Sequence, residues 1–156
     1  MRTVEKVVQK LISKGYHISF SESCTGGLAA ATLVSVSDAS KVFSESFVTY
    51  ANAAKVRYLG VNQVTIDTFG VVSEEVAKEM CVGTAKETNS EIAVGISGIA
   101  GPTGGTETKP VGMVCFGFYI NGLIYTYTQY FGNIGRNKVR QKAVNFVYST
   151  LNKLIK

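Results

Sequence analysis

Apolar residues recur along this chain with two alternating periods. Val4, Val7, Val8, Leu11 and Ile12 fall at helical spacing, and Gly15 supplies the stop. His17 to Phe20 reads as a short strand and Leu28 to Val34 as a helix. Phe43 to Tyr50 alternates as a strand does. Asn52 is placed to cap a short helix that carries Lys55 and Arg57 and ends at Gly60, and a second short helix covers Gln63 to Thr68. Ser73 is a helix N-cap, with Glu74 and Glu75 in the first turn to complement the dipole. Val76, Ala77, Met80, Cys81, Thr84 and Ala85 then form a buried stripe. Ile92 to Ile96 is continuously apolar, as a central strand is. Residues 97–110 form a turn-rich loop. Val111 to Ile120 and Leu123 to Phe131 are two strands joined by Asn121-Gly122, a two-residue hairpin signal. Val139, Ala143, Phe146, Val147, Thr150 and Leu154 mark a terminal helix.

Strands interleaved with helices, and one late hairpin, predict an α/β fold: a three-layer α/β/α sandwich with a mixed central sheet. The 156 residues fit a single domain, 1–156. With 46% hydrophobic residues, a core forms without staples. No apolar run is long enough to cross a bilayer, and Met1-Arg2-Thr3-Val4-Glu5 opens a helix and not a secretory signal. The expectation is a cytoplasmic protein with no membrane association.

Composition narrows the chemistry. Cys24, Cys81 and Cys115 are widely spaced and His17 is the only histidine, so no metal-ligand pattern exists and a Ser-His-Asp arrangement is disfavoured. Neither a metal nor a cofactor is expected. The net charge of +5 favours anionic partners in general. Nucleic acid is not the expected partner, because no aromatic-plus-basic pattern accompanies the charge.

Four segments carry candidate chemistry. In Glu22-Ser23-Cys24-Thr25-Gly26-Gly27, at a strand-to-helix junction, Ser23 is a candidate nucleophile. Backbone N–H groups there suit an oxyanion or anion. In Val48-Thr49-Tyr50-Ala51-Asn52-Ala53-Ala54-Lys55, Lys55 is a candidate base, since a neutral lysine can take a serine proton. Ser97 to Gly105, with Gly98, Gly101, Thr103 and Gly104, is a loop of small residues suited to phosphate or carboxylate. Arg136 and Arg140 share a helix face and offer planar donor forks. Each alone also fits an ordinary role: a cap, an exposed lysine, a connecting turn, a solvated helix face.

Together these segments resemble the CinA C-terminal domain family, which includes stand-alone nicotinamide mononucleotide deamidases. The resemblance rests on residues 21–27, Phe47 to Lys55, Gly70-Val71-Val72-Ser73-Glu74-Glu75 and Gly95 to Gly105, and extends through Lys109-Pro110-Val111-Gly112 to Arg136–Arg140. It implies an α/β/α domain that hydrolyses the carboxamide of nicotinamide mononucleotide to nicotinate mononucleotide and ammonia, in pyridine nucleotide recycling. It also implies a Ser–Lys arrangement: the family's serine falls on Ser23, its lysine on Lys55 and its tyrosine on Tyr50. Cys24, Thr25, Gly26, Gly27, Ser97, Gly98, Gly101, Thr103, Gly104, Arg136 and Arg140 are the expected substrate-binding residues, with the loop and Arg140 on the 5′-phosphate. Gly132-Asn133-Ile134-Gly135-Arg136 departs from the family's shorter Gly-Asp-Arg or Gly-Asn-Arg, which weakens the expectation for Arg136 relative to Arg140. The resemblance further implies a homodimer or higher homo-oligomer. The alternative reading is a competence/damage-inducible partner module without amidase activity.

Overall fold

A computed structural model describes residues 1–156. Its sheet has five strands: β1 (Ile18–Glu22), β2 (Phe47–Val48), β3 (Ile92–Gly98), β4 (Met113–Ile120) and β5 (Leu123–Tyr130), in the order β2-β1-β3-β4-β5. β2, β1 and β3 run parallel, and β3, β4 and β5 antiparallel, so the sheet is mixed. The α-helices are α1 (Thr3–Lys14), α2 (Leu28–Val34), α3 (Asn52–Leu59), α4 (Gln63–Phe69), α5 (Glu74–Thr88) and α6 (Arg136–Leu154). α1, α2 and α6 pack together on one side of the sheet. α5 lies on the other side across β1, β3, β4 and β5, backed by α3 and α4. The three expected layers and the mixed sheet are both present.

The two sheet faces differ in side-chain size, and this sets the spacing of the layers. Ile18, Phe20, Ile92, Val94, Ile96, Val114, Phe116 and Phe118 point at α1, α2 and α6 and form the main core. The alternate residues, Ser19, Ser21, Ala93, Gly95, Ser97, Cys115 and Gly117, point at α5. Gly95 and Gly117 are cross-strand partners. A Cβ on Gly117 would lie 2.3 Å from the Ala77 carbonyl oxygen, and one on Gly95 would lie 2.8 Å from the same atom. α5 therefore rests on the sheet backbone to backbone.

Local chemistry explains the element boundaries. Gly15 ends α1 in the left-handed region at φ 68°. Ser73 caps α5 by accepting from Val76 N–H at 3.2 Å. Asn121 (φ 45°) and Gly122 (φ 95°) make the hairpin turn and set Ile120 opposite Leu123.

Four expectations at element ends are corrected. The Phe43–Tyr50 strand shrinks to Phe47–Val48. Ser46 Oγ accepts from Phe20 N–H at 2.8 Å and donates to Phe20 O at 2.9 Å, so a side chain replaces the ladder there. His17 is exposed and precedes β1, whose first residue is Ile18. Asn52 is the first helical residue of α3; Ala51 occupies the cap position. β3 continues to Gly98 and β4 starts at Met113, so the connecting loop covers 99–112.

The three parallel strands end together. Ser23, Thr49-Tyr50 and the 99–112 loop follow the C-terminal ends of β1, β2 and β3, the edge where open α/β sheets hold their ligands.

Gly117→Ala is expected to fold with the Tm lowered by roughly 3–10 °C, from an overpacking cost of about 1–3 kcal/mol at ~2–4 °C per kcal/mol. Thermal denaturation followed by circular dichroism checks this, and an unchanged Tm would mean α5 is free to lift away.

Candidate active site

The turn that carries Ser23 is held by contacts within the chain. Glu22, fully buried at the end of β1, turns its carboxylate toward α2. Its Oε1 accepts from Ala29 N–H at 2.8 Å and its Oε2 from Ala30 N–H at 3.0 Å. Gly27, at the cap position of α2, has no side chain to do this. On the other side of the turn, Arg140 Nε donates to Cys24 O at 3.0 Å and Nη2 to Thr25 O at 2.9 Å. Gly26 N–H closes the turn on Ser23 O at 3.0 Å. Gly26 and Gly27 take positive φ, 58° and 101°, as this tight reversal requires.

Lys55 meets Ser23. Its Nζ lies 3.1 Å from Ser23 Oγ, 2.7 Å from Thr49 O and 3.2 Å from Tyr50 O. α3 starts immediately after this carbonyl pair, so the lysine, one turn into the helix, folds back onto the segment that precedes it. The side chain is fully buried, and burial pushes its pKa down to about 8, slightly opposed by the Cys24 thiol. A neutral amine has two N–H donors and one lone pair. Two carbonyls take the two hydrogens, which leaves the lone pair for the Ser23 hydroxyl. Burial also drives the neighbouring Cys24 thiol up to about 12, so it stays protonated at neutral pH.

Beside this pair lies a cavity of about 370 Å³. Ser23, Cys24, Tyr50, Asn52 and Lys55 line one side, and Gly70–Val72, Ser97–Gly101, Thr103, Gly104, Thr106, Lys109 and Arg136 the rest. Arg136 bridges two walls: Nη1 donates to Gly101 O and Nη2 to the Tyr50 hydroxyl, each at 2.8 Å. Lys109 Nζ donates to Phe69 O and to Val72 O (2.6 Å), which ties the loop to the α4–α5 connection. Ser97 Oγ donates to Val71 O at 2.8 Å and fixes the same wall. The N–H groups of Cys24, Ala100, Gly101, Thr103 and Gly104 take no acceptor in the chain. They are the donors open to an anionic atom in the cavity.

Of the expected residues, Ser23, Cys24, Tyr50, Lys55, Ser97, Gly98, Gly101, Thr103, Gly104 and Arg136 line the cavity. Thr25, Gly26, Gly27 and Arg140 do not. The N-terminus of α2 is no anion site, because Glu22 already occupies its N–H groups. Arg140 spends its fork on turn carbonyls and on Asn137 Oδ1 (3.0 Å), and so holds the Ser23 turn from behind. Arg136, the first residue of α6 after the Gly132–Gly135 connection, lines the cavity, and Arg140 does not. Tyr50 touches Lys55 through its carbonyl, and its hydroxyl is turned to Arg136. Sequence reasoning missed Glu22, Asn52 and Lys109. Asn52 and Lys55 stand three apart on α3, a spacing that places both toward one face and was available as a signal. Glu22 carried no comparable signal, since its partners are backbone groups.

The sequence profile of the CinA C-terminal domain matches residues 1–155. The chain belongs to the CinA C-terminal domain family. It is 48% identical over 145 residues to a CinA-like protein of Kosmotoga olearia, covering 92% of this chain and 35% of that protein. A CinA-like protein of Petrotoga mobilis is 45% identical over 146 residues, covering 94% and 36%. The chain thus spans about a third of the length of these curated relatives. Among solved structures, the competence/damage inducible protein CihA of Agrobacterium tumefaciens superposes with a TM-score of 0.92 at 36% identity, covering 100% of this chain and 98% of that one. A CinA superfamily protein of Enterobacter cloacae gives 0.95 at 30% identity, covering 99% and 90%. These matches carry the family's α/β architecture across the whole chain.

The lowered pKa of Lys55 gives a signed expectation. Its neutral form grows as pH rises toward about 8. Labelling of Ser23 by a fluorophosphonate, read by mass spectrometry, is expected to quicken about tenfold per pH unit below that value and level off above it. Lys55→Arg abolishes the labelling, because a guanidinium stays protonated. A flat profile between pH 6 and 9 would rule Lys55 out as the base.

Proposed function

We propose that this chain is a metal-independent amidohydrolase that converts nicotinamide mononucleotide to nicotinate mononucleotide and ammonia. The observation that carries the amidohydrolase chemistry is the Lys55 amine, held by two carbonyls with its remaining site on Ser23 Oγ at 3.1 Å. The choice of substrate follows the family resemblance. A cavity of this size accepts a mononucleotide, and Arg136 with the free N–H groups of the 99–112 loop supplies donors for its phosphate.

Neutral Lys55 takes the Ser23 proton as Oγ attacks the carboxamide carbon. The Cys24 N–H, beside Oγ and without an acceptor, receives the developing oxyanion, a contact worth roughly 3–4 kcal/mol in comparable sites. The ammonium of Lys55 then protonates the departing nitrogen, and ammonia leaves. A water, deprotonated by the same amine, hydrolyses the acyl-enzyme and restores Ser23. Asn52, exposed at the cavity wall, is a further polar group for the carboxamide. Glu22 and Arg140 touch no reacting atom in this scheme.

Ammonia release from nicotinamide mononucleotide by purified protein tests the reading. Ser23→Ala and Lys55→Ala are expected to lower kcat by at least about 10³-fold with the fold retained, and EDTA has no effect. Absence of activity in the unmodified protein would instead support the partner-module reading.

The two arginines separate by substrate. Arg136→Met raises KM for the nucleotide but not for nicotinamide riboside, which has no phosphate. Arg140→Met lowers kcat on both alike, since it disturbs the turn. Equal KM effects on both substrates from Arg136→Met would remove it from the phosphate site.

A further inference from the structure

The cavity beside Ser23 carries charge of one sign. Lys55, Lys109 and Arg136 line it, and no aspartate or glutamate does. Lys109 and Arg136 donate only to neutral acceptors, the Phe69, Val72 and Gly101 carbonyls and the Tyr50 hydroxyl. The ion pairs of the chain, Arg2–Glu5 and Lys41–Asp38, involve none of the three. Glu22 precedes Ser23, but its carboxyl group is turned to Ala29 and Ala30. An anion that enters the cavity therefore meets unpaired cations and no carboxylate.

The contact between Lys55 and Ser23 has two polarities. With the amine neutral, the Ser23 hydroxyl donates to its lone pair. With the amine protonated, three N–H groups have three acceptors: Thr49 O, Tyr50 O and Ser23 Oγ, at 2.7, 3.2 and 3.1 Å. Ser23 then accepts, and its own hydrogen is left only the long contact to Tyr50 O, 3.5 Å. That hydrogen and the Cys24 N–H, which has no acceptor in the chain, are neighbouring donors at the cavity. They match the two oxygens of a carboxylate, which accepts and does not donate. A carboxamide is uncharged and leaves the amine free to stay neutral.

We infer, on the amidohydrolase reading, that the acid product is retained by the site that makes it: its carboxylate stays on Ser23 and Cys24, paired across Ser23 with a Lys55 ammonium, and delays the next turnover. The proton balance follows from the chemistry. In deacylation a water oxygen bonds to the acyl carbon, and the bond from that carbon to Ser23 Oγ breaks. One water proton goes to Oγ and the other to Lys55, which leaves carboxylate and ammonium as an ion pair. Arg136 and Lys109 add to the hold, because hydrolysis makes the nucleotide more negative. Departure of the product and loss of the Lys55 proton to solvent restore the resting site.

The retention depends on pH with a fixed sign. Burial holds Lys55 at about 8 in the free protein, with only a slight upward pull from the Cys24 thiol. Tyr50 turns its hydroxyl to Arg136, and Arg140 is spent on the turn carbonyls. On α5, packed against α3, Glu79 is engaged by Asn62 N–H and Thr65 Oγ1, and burial pushes the Cys81 thiol up to about 12. A carboxylate across Ser23 raises the Lys55 value in the complex. The complex then binds more protons than the free protein, so affinity is full below about 8 and falls as pH rises above it.

Titration calorimetry of the unmodified protein with nicotinate mononucleotide, from pH 7 to 9.5 in buffers of different ionisation heat, tests this. The expected Kd lies below the KM for the amide at pH 7. It rises by up to about tenfold per pH unit above about 8, with uptake of most of a proton at pH 9. Ribose 5-phosphate, which has no carboxylate, shows neither the rise nor the uptake. Lys55→Met removes the uptake and keeps the ribose 5-phosphate affinity. Ammonia release is measured on the same preparation. Release without proton uptake at pH 9, or with a product Kd above the KM, overturns the inference and leaves the amidohydrolase reading standing, as does uptake that survives Lys55→Met. No release of ammonia overturns both.

Discussion

A reversal of the chain at Ser23 is gripped from both ends of its polarity. Glu22 absorbs the N–H groups downstream of it and Arg140 absorbs the carbonyls within it. Neither contact is available to a turn with ordinary caps, because the tight path through Gly26 and Gly27 leaves no side chain at the start of α2. The buried Glu22 carboxyl group accepts from two backbone donors and the Arg140 guanidinium has three acceptors, so neither side chain is left without partners. With the turn rigid, Ser23 Oγ has one place to be, and Lys55 can be built to meet it. Preorganisation of this sort, in which no group must reorganise as the reaction proceeds, is the largest contribution most hydrolytic sites make.

The opposite wall of the cavity depends on the small face of the sheet. Because Gly95 and Gly117 admit the backbone of α5, the segment that enters that helix, Gly70 to Ser73, comes down close to the end of β3. Ser97 and Lys109 then have carbonyls within reach at Val71, Phe69 and Val72. A bulkier face would hold α5 and this wall further from Ser23.

Much of this was legible in the sequence, for identifiable reasons. Helices and strands with a strong period, such as α1, α5 and the β4–β5 hairpin, announced themselves because burial and turn chemistry act locally. The layered architecture followed from their order. Ser23 and Lys55 were nameable by residue chemistry, but their pairing rested on the family resemblance, since nothing in a spacing of thirty-two positions encodes contact. What stayed hidden were contacts from side chain to backbone. Ser46 ends a strand, Glu22 caps a helix it does not belong to, and Arg140 binds carbonyls over a hundred residues away. Backbone groups carry no identity in a sequence, so their partners cannot be read there. The large-and-small alternation of β1, β3 and β4 was visible in the letters, yet Ile92 to Ile96 read as uniformly apolar because glycine and alanine were counted with isoleucine. The placement of Arg136 at the cavity and of Arg140 behind the turn was hidden for the same reason: Arg140's partners are backbone carbonyls.

The thiol of Cys24 stands next to Ser23, the proposed nucleophile, and would be the stronger nucleophile were it ionised. Held near a pKa of 12 by its apolar surroundings, it offers almost no thiolate to peroxide or to alkylating electrophiles. On the proposed function, the reactive atom is an oxygen, which has no oxidation ladder to climb. Turnover by that route would be uncoupled from the redox state of its surroundings, a property that a cysteine hydrolase of the same shape would lack.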